Sequence, residues 1–385
     1  MKKIQYIILL SLLLGCKEKY VSPYNSPAAG YLVVEGNIIN GQDSTIITLS
    51  RTGALNDNSI HLESGAIVKV ESEDNVFFTL NESSIGHYTK DALSLNANKK
   101  YRINIVTKDN KQYMSDFVEV HTNPAIDAVN WKIENQGVQF YINTHDPSGK
   151  SKYFQWDFSE TFEFHSPYKS YLKINESTVG GKRNYSLAYR DSVHYSYDTS
   201  MFKCWKTEPS TNIILGSTAS LSQDVIELPL TYIYPTSWKL SVYYSIKVKQ
   251  YSLSKEAYEF LEKMKKNTEG TGSVFDAQPS ELNGNIHNIN DSKETVIGYI
   301  NICNIQSKRI FIKNDALKDW TTTLPCNLKE IRNNSDSIYY DGGGLTPTDV
   351  AKSLLSIISF YAAPPSCVDC KLRGTSNKPS FWPEN

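Results

Sequence analysis

The sequence predicts a mainly β protein: an N-terminal immunoglobulin- or transthyretin-like β-sandwich, then a second, larger β-rich (fibronectin-like) domain with one short helix. Three observations predict this. Short runs of β-branched and aromatic residues recur at about 8–12-residue spacing. Within several of them apolar and polar residues alternate with period two, as half-buried strands do. The composition sets 25 tyrosines against 4 methionines, which suits sheets, where a Tyr ring packs and its hydroxyl stays wet.

The first residues stand outside that fold. Lys2 and Lys3 form a positive region, Tyr6 to Leu14 is an apolar run broken only by Ser11, and Leu13-Leu14-Gly15-Cys16 follows. The run is too short to cross a bilayer, which takes roughly 20 residues. It reads as a signal peptide over 1–15. A cysteine at the cut adds a thiol for diacylation, so Cys16 is expected to be the lipidated first residue of the mature chain, and two or more acyl chains anchor stably where one is marginal. The alternative is an ordinary signal with an incidental cysteine. Residues 16–30, polar and with two prolines, read as a tether. Glu18 between Lys17 and Lys19 is the only acid directly after the cysteine, a weak surface-export signal. The expected location is the outer membrane, lipid-anchored, with the cell surface favoured over the periplasmic face.

Residues 31–122 are read as the N-terminal β-sandwich. Tyr31 to Gly36 and Thr45 to Leu49 flank the hairpin signal Asn40-Gly41, and Ala66 to Val70 and Val76 to Leu80 flank an acidic turn. Tyr101, Ile103 and Ile105 mark one face of a further strand. Pro124 to Asp127 reads as a boundary, and 123–385 as the second β-rich domain. There Val138, Phe140 and Ile142 alternate with polar neighbours, as do Phe154, Trp156 and Phe158. The clearest alternation, Leu240, Val242, Tyr244, Ile246 and Val248, predicts a strand from 240. Residues 166–215, polar and tyrosine-rich, are expected to be long loops. Ser254 as N-cap and Ala257, Phe260, Leu261 and Met264 at helical spacing predict a helix over 254–267. Strands are expected at Val296–Ile302 and Ile310–Ile312.

Besides Cys16, five cysteines remain: Cys204, Cys303, Cys326, Cys367 and Cys370. In an exported chain disulfides are expected, and an odd count leaves one thiol free. Cys303 lies in a strand-like apolar run, where a buried thiol behaves as a small hydrophobe, so it is the expected free one. The other four allow three pairings. Cys367 and Cys370 have metal-like CxxC spacing, but no two further ligands follow at finger spacing. A redox motif normally opens a helix, and this one lies in a Pro- and Gly-rich tail.

Catalytic patterns are sparse. Forty basic and 41 acidic residues nearly cancel, leaving no electrostatic case for nucleic acid. The seven histidines form no HExxH, and neither a GxSxG elbow nor a Walker loop occurs. Asp341 to Gly344 reads as a flexible turn, and Glu71, Glu73 and Asp74 as a hairpin tip. Glu160 and Glu163 flank aromatics and could be a glycosidase pair, but surface strand positions explain them better. No cofactor, metal site or catalytic residue is expected. Tyr168, Tyr171, Tyr185, Tyr189, Tyr195 and Tyr197 are a candidate recognition surface, since tyrosine gives large contact area at low entropy cost. The alternative is that they coat a core.

From Cys16 to Trp382 the chain resembles the domain-of-unknown-function family 4249 (DUF4249), lipoproteins of Bacteroidota. The resemblance is carried by the lipobox, Leu32 to Gly36, Gly65 to Val68, Gly86-His87-Tyr88, Cys204-Trp205 and Tyr258 to Phe260. Further matches are Phe275 to Ser280 with Gly284-Asn285, Val296 to Tyr299, Cys367 to Gly374 and Pro379 to Trp382. It implies that Cys204, Cys326, Cys367 and Cys370 are the shared cysteines. The family has no established activity, so no catalytic residue carries over. What it implies is context, as an outer-membrane partner of a TonB-dependent transporter. The expected function is a non-enzymatic outer-membrane lipoprotein that captures ligand for, or assists, such a transporter. The alternatives are a surface adhesin or glycan-binding lipoprotein, and a periplasm-facing envelope-maintenance protein.

Overall fold

The computed structural model describes residues 30–384, except 54–56, 58, 270–281, 283, 318–319, 323 and 355. The signal peptide, Cys16, the tether up to residue 29, and the matches within 275–280 lie outside the described residues. The chain is mainly β, as expected.

The first region forms one continuous sheet. In order, its strands are Ile286–Asn288, Gln112–Ser115, Lys100–Val106, Ile67–Ser72, Phe77–Ser84, His87–Lys90, Thr45–Arg51, Leu32–Glu35 and Val296–Ile297. The short strands Val118–Glu119 and His61–Leu62 pair at its flanks. Alternation in Lys100–Val106 places Tyr101, Ile103 and Ile105 inward as expected. They join Leu32, Val34, Ile47, Val68 and Tyr88 in one core.

One correction concerns the boundary at 122/123, because the later chain returns to this sheet. Ile286–Asn288 pairs antiparallel with Gln112–Ser115, and Val296 and Ile297 pair parallel with Leu32 and Val33. Ile302–Cys303 pairs parallel with Ile38–Ile39 beside it. Residues 31–122 alone would leave the Gln112 and Leu32 strands as open edges, and a sheet edge is a liability until it is covered. The expected strand Val296–Ile302 is broken in two at Gly298, whose φ is +145°. A Cβ there would lie 2.2 Å from the Val34 carbonyl oxygen, so only glycine lets these backbones meet.

In the second region two sheets share a core. One holds Ile126–Glu134, Gly137–His145 and Val225–Ile233. The other runs Lys203–Pro209, Tyr153–His165, Tyr243–Leu253 and Gln306–Lys313, with Ile214–Ser217 also on the 13-residue Tyr153 strand. Between them lie Val138, Phe140 and Ile142 from one, and Phe154, Trp156, Phe162, Ile246 and Val248 from the other. The turn Asn135-Gln136 has both φ values positive, at 47° and 65°, the geometry that suits a two-residue hairpin to strand twist. The strand expected from 240 begins at Tyr243, because Trp238–Leu240 is a 3-10 turn, but Tyr244, Ile246 and Val248 face the core as read.

The long loops expected across 166–215 are also corrected. Leu172–Val179 and Lys182–Tyr189 form a hairpin closed at Gly180-Gly181, and Lys203–Pro209 is a sheet strand. The hairpin packs on a three-stranded sheet of Lys329–Arg332, Ile357–Ala363 and Thr346–Ser353 around Leu172, Ile331, Ile338 and Phe360. The helix is Lys255–Thr268, capped by Ser254, whose hydroxyl accepts from the Ala257 N–H at 3.0 Å.

Two disulfides, Cys204–Cys370 and Cys326–Cys367, tie the C-terminal segment down, and Cys303 is buried and free. The metal and redox readings of Cys367 and Cys370 fail here, since each sulfur is committed to a different partner. Burial pushes the Cys303 thiol up to about 12, so it is protonated and unreactive at neutral pH. Alkylation of native, unreduced protein should therefore leave Cys303 unmodified until denaturant is added. Peptide mapping should recover the two linkages, and reduction should destabilise the fold by roughly 2–5 kcal/mol per bridge. Rapid native labelling of Cys303, or a Cys204–Cys367 peptide, would contradict the assignment.

Candidate functional site

A cleft of about 740 Å³ opens between the two sheets of the second region. Its floor begins with strand register. Glu160 on the Tyr153–His165 strand pairs directly with Glu208 on the Lys203–Pro209 strand, and like charges directly opposite are destabilising. The fold answers with a cation shared by both carboxylates. The 3-10 turn at Trp238–Leu240 points Lys239 between them, with Nζ 2.6 Å from Glu160 and 2.8 Å from Glu208. Tyr244 donates its hydroxyl to the other Glu160 oxygen at 2.8 Å, and Lys206 reaches Glu208 at 2.7 Å.

Burial opposes the charge on Lys239, but its hydrogen bonds to Glu160 and Glu208 win and hold its pKa above the ordinary lysine value. Burial likewise opposes ionisation of Glu208, and the bonds from Lys206 and Lys239 outweigh it, so its carboxyl stays below the usual range. Burial beside Glu160 raises the Tyr244 hydroxyl well above its ordinary value. Glu208 is thus a fixed anion and Tyr244 a fixed donor. A general acid needs a raised carboxyl pKa, and Glu208 has the opposite. The arrangement suits recognition of a polar ligand by preset charges. Gln139 and Asn212 add amides to the walls, and Tyr232 and Tyr234 meet edge to face at 5.1 Å, with Tyr234 74 % exposed.

Glu160 and Glu163 do not converge. Three residues apart on one strand, they point to opposite faces. Glu163 is buried, taking a hydrogen bond from the Trp382 indole at 3.2 Å and an ion pair from Lys203 at 3.0 Å. Glu208 replaces it as the partner of Glu160. The short alternation Lys206-Thr207-Glu208 was its only local signal, since the pairing is set by register.

The six tyrosines lie along the hairpin and its surroundings. Tyr171, Tyr185 and Tyr189 are half-buried against the small core. Tyr168 donates its hydroxyl to the Cys326 carbonyl at 2.7 Å. Tyr189 meets Tyr195 at 4.8 Å and Tyr171 meets Tyr197 at 5.7 Å, both edge to face, while Tyr185 stacks on Tyr339. Of the six only Tyr195 is largely exposed, at 60 %. Most of their ring area is spent on packing. The four predicted cysteines all sit in disulfides.

The chain belongs to the family described as Domain of unknown function (DUF4249), whose profile matches residues 18–309. The C-terminal segment with three of the four bridged cysteines follows that span. No curated protein matches the chain. Among solved structures, one titled "Complete structure of manganese lipoxygenase of Gaeumannomyces graminis and partial structure of zonadhesin of Komagataella pastoris" is similar at 8 % identity, over 60 % of this chain and 90 % of that one, with a TM-score of 0.18. So low a score carries no argument about fold or function.

Replacing Lys239 by Met should leave two facing carboxylates without their shared cation. We expect a loss of roughly 3 kcal/mol, the low end for breaking a buried pair, read by urea unfolding at neutral pH. Because the folded pKa of Glu208 lies below its ordinary 4.5, its contribution is present above that pH and is lost as pH falls through the folded value. The variant should therefore show a shallower acid-induced loss than the parent below about pH 4.5. An unchanged acid profile would contradict the assigned pairing.

Proposed function

We propose that this member of the DUF4249 family is a non-enzymatic outer-membrane lipoprotein, anchored through Cys16, that captures a polar ligand as the accessory of a TonB-dependent transporter. The observation that carries the reading is the N-terminal sequence, with its basic start, short apolar run and Leu13-Leu14-Gly15-Cys16. It makes the mature chain a tethered body at a membrane surface. The cleft supports the second half of the reading. Its size falls within the range of small-molecule sites, and its charged groups are fixed by one another and do not resemble a proton-transfer pair. A polar ligand would meet Tyr234 at the mouth and the Glu160–Lys239–Glu208 triad inside.

A second reading, a glycan-binding lipoprotein at the cell surface, is favoured by one feature, the exposed Tyr234 ring packed edge to face on half-buried Tyr232 in the cleft lining. The two readings share the anchor and the cleft and differ in the partner.

The test is affinity capture of the tagged lipoprotein from membranes in mild detergent. The reading expects co-purification of a TonB-dependent transporter, together with incorporation of a clickable fatty acid that Cys16→Ser abolishes. Capture of the lipoprotein alone, across several detergents, would remove the transporter partnership. Fatty-acid labelling that survives Cys16→Ser would remove the anchor.

A further inference from the structure

The chain enters the folded body at one end of the first sheet. There the Tyr31 carbonyl accepts from the Thr52 N–H at 3.0 Å, and the Tyr31 N–H donates to the Thr52 hydroxyl at 2.9 Å. Pairing register brings further segments to this end. His61 lies opposite Arg51, Ile67 opposite Val106, and Ile289 follows the short strand that pairs with Tyr113. The Ile85-Gly86 turn, which joins Phe77–Ser84 to His87–Lys90, lies here too.

Among the described residues, Tyr31, Ile60, Leu62, Ile67, Ile85 and Ile289 are exposed at this end. Ile60 is 82 % exposed and Ile85 67 %. Single apolar residues on a surface need no explanation, but a group gathered at one place marks an interaction site. Ile85 is the sharper sign. The apex of a tight hairpin favours Asn, Asp or Gly, and the turn before the same strand carries Glu73, Asp74 and Asn75.

These side chains sit on a rigid frame. The Glu82 carboxylate accepts from the N–H groups of Gly65 and Gly86, each at 2.9 Å, which ties the Ile85 turn to the start of the Ile67–Ser72 strand. The Tyr88 hydroxyl donates to the Glu63 carbonyl at 2.9 Å and accepts from the Ala66 N–H at 3.0 Å, joining the segments that carry Leu62 and Ile67. A Cβ on Gly86 would lie 2.9 Å from that of Leu62, so the turn rests on Leu62. The ionic groups nearby largely satisfy one another. Arg51 pairs with Glu63 at 2.8 Å, Lys111 with Glu294 at 3.0 Å, and exposed Lys108 and Lys293 are offset by exposed Asp109 and Asp291. Apolar burial is left as the main drive for binding.

We propose that this end of the first sheet seats on the surface of the lipid bilayer, with Ile60 and Ile85 entering the acyl boundary and Tyr31 at headgroup level. The proposal rests on the reading that Cys16 anchors the chain. Residues 16–29 reach ~50 Å when fully extended and about 20 Å on average. They join the body at Tyr31, so acylation of Cys16 holds this end beside lipid at high local concentration. A bilayer is preferred to a second copy or a protein partner because the apolar side chains stand on separate turns around the tether's entry point. Seating would fix the orientation of the body on the membrane, where the tether alone would let it tumble.

The test supplies the tether by other means. The full mature chain, with an N-terminal histidine tag in place of Cys16, is held on phosphatidylcholine vesicles that contain a nickel-chelating lipid. An environment-sensitive dye is coupled to Ser84→Cys, beside Ile85, or to Asn98→Cys, before the opposite end of the Lys100–Val106 strand. Both positions are exposed, and the native cysteines that remain are bridged or buried. The proposal expects spin-labelled lipid to quench the dye at residue 84 about fivefold more than at residue 98. Ile60→Ser/Ile85→Ser should bring the two sites to the same level with thermal unfolding unchanged. Equal quenching at both sites, or quenching at residue 84 indifferent to the double variant, would overturn the proposal. So would quenching there only when a transporter is reconstituted in the vesicles, or a dimer in solution that the double variant dissolves. Acylation of Cys16 is not needed for this readout, so a negative result strikes the seating and not the anchor.

Discussion

The rest of the structure depends on the carboxamides buried where the two β regions meet, and first on Gln250. Its side chain is fully buried, accepts from the Trp156 indole at 2.8 Å, and donates to the Asn123 side chain at 3.0 Å and the Pro124 carbonyl at 2.8 Å. Asn123 donates in turn to the Gln250 and Asn304 carbonyls. Further along the same seam, Asn301 donates to the Ser252 carbonyl at 3.0 Å, and Asn285 exchanges two hydrogen bonds with Ile300. An amide buried without partners costs several kcal/mol, whereas a satisfied one fixes a single arrangement. These side chains take the place of ladder bonds where strand pairing stops. They set how 123–124, 250–254 and 285–304 cross one another.

That seam explains the chain's route. After the helix the polypeptide returns to the first sheet, covers both of its open ends, and crosses back as Gln306–Lys313 at the edge of the second. The central strand Tyr153–His165 then serves several purposes through its alternation. Phe154, Trp156, Phe158, Phe162 and Phe164 pack into the core, and Glu160 forms the floor of the cleft. Strand pairing places Cys204 opposite Phe164, so the bridge to Cys370 brings the C-terminal segment to that strand. The floor of the cleft is built on sheet residues fixed by this register, and rigid elements hold site geometry better than loops do.

How much of this was legible in the sequence follows from which forces act locally. Period-two runs such as Tyr101-Arg102-Ile103-Asn104-Ile105 declared themselves because one face meets the core and the other meets water. The helix after Ser254 was equally plain, with a cap and an apolar stripe within one stretch. A strand at Val296–Ile302 was legible, but its break into Val296–Ile297 and Ile302–Cys303 and its return to the first sheet were not, since pairing with Leu32 and Ile38 is a long-range fact. The hairpin at 172–189 was missed because its outer face is polar, although Gly180-Gly181 between Leu172, Ile174, Tyr185 and Leu187 is a hairpin signal in hindsight. The Glu160–Glu208–Lys239 cluster draws on three separate elements, and only pairing register unites them. Cys303 as the free thiol was readable because its neighbours are apolar.

The central claim is that the buried carboxamide seam and the returning segment make the two β regions one cooperative body, so that a ligand in the cleft is held at a fixed position relative to the N-terminal tether. Differential scanning calorimetry of the mature chain with its disulfides intact tests this most directly. The account predicts one transition whose calorimetric and van't Hoff enthalpies agree, and a single lower-melting transition in Gln250→Leu. Two separable transitions, with only one moved by Gln250→Leu, would contradict it and make the regions independent domains.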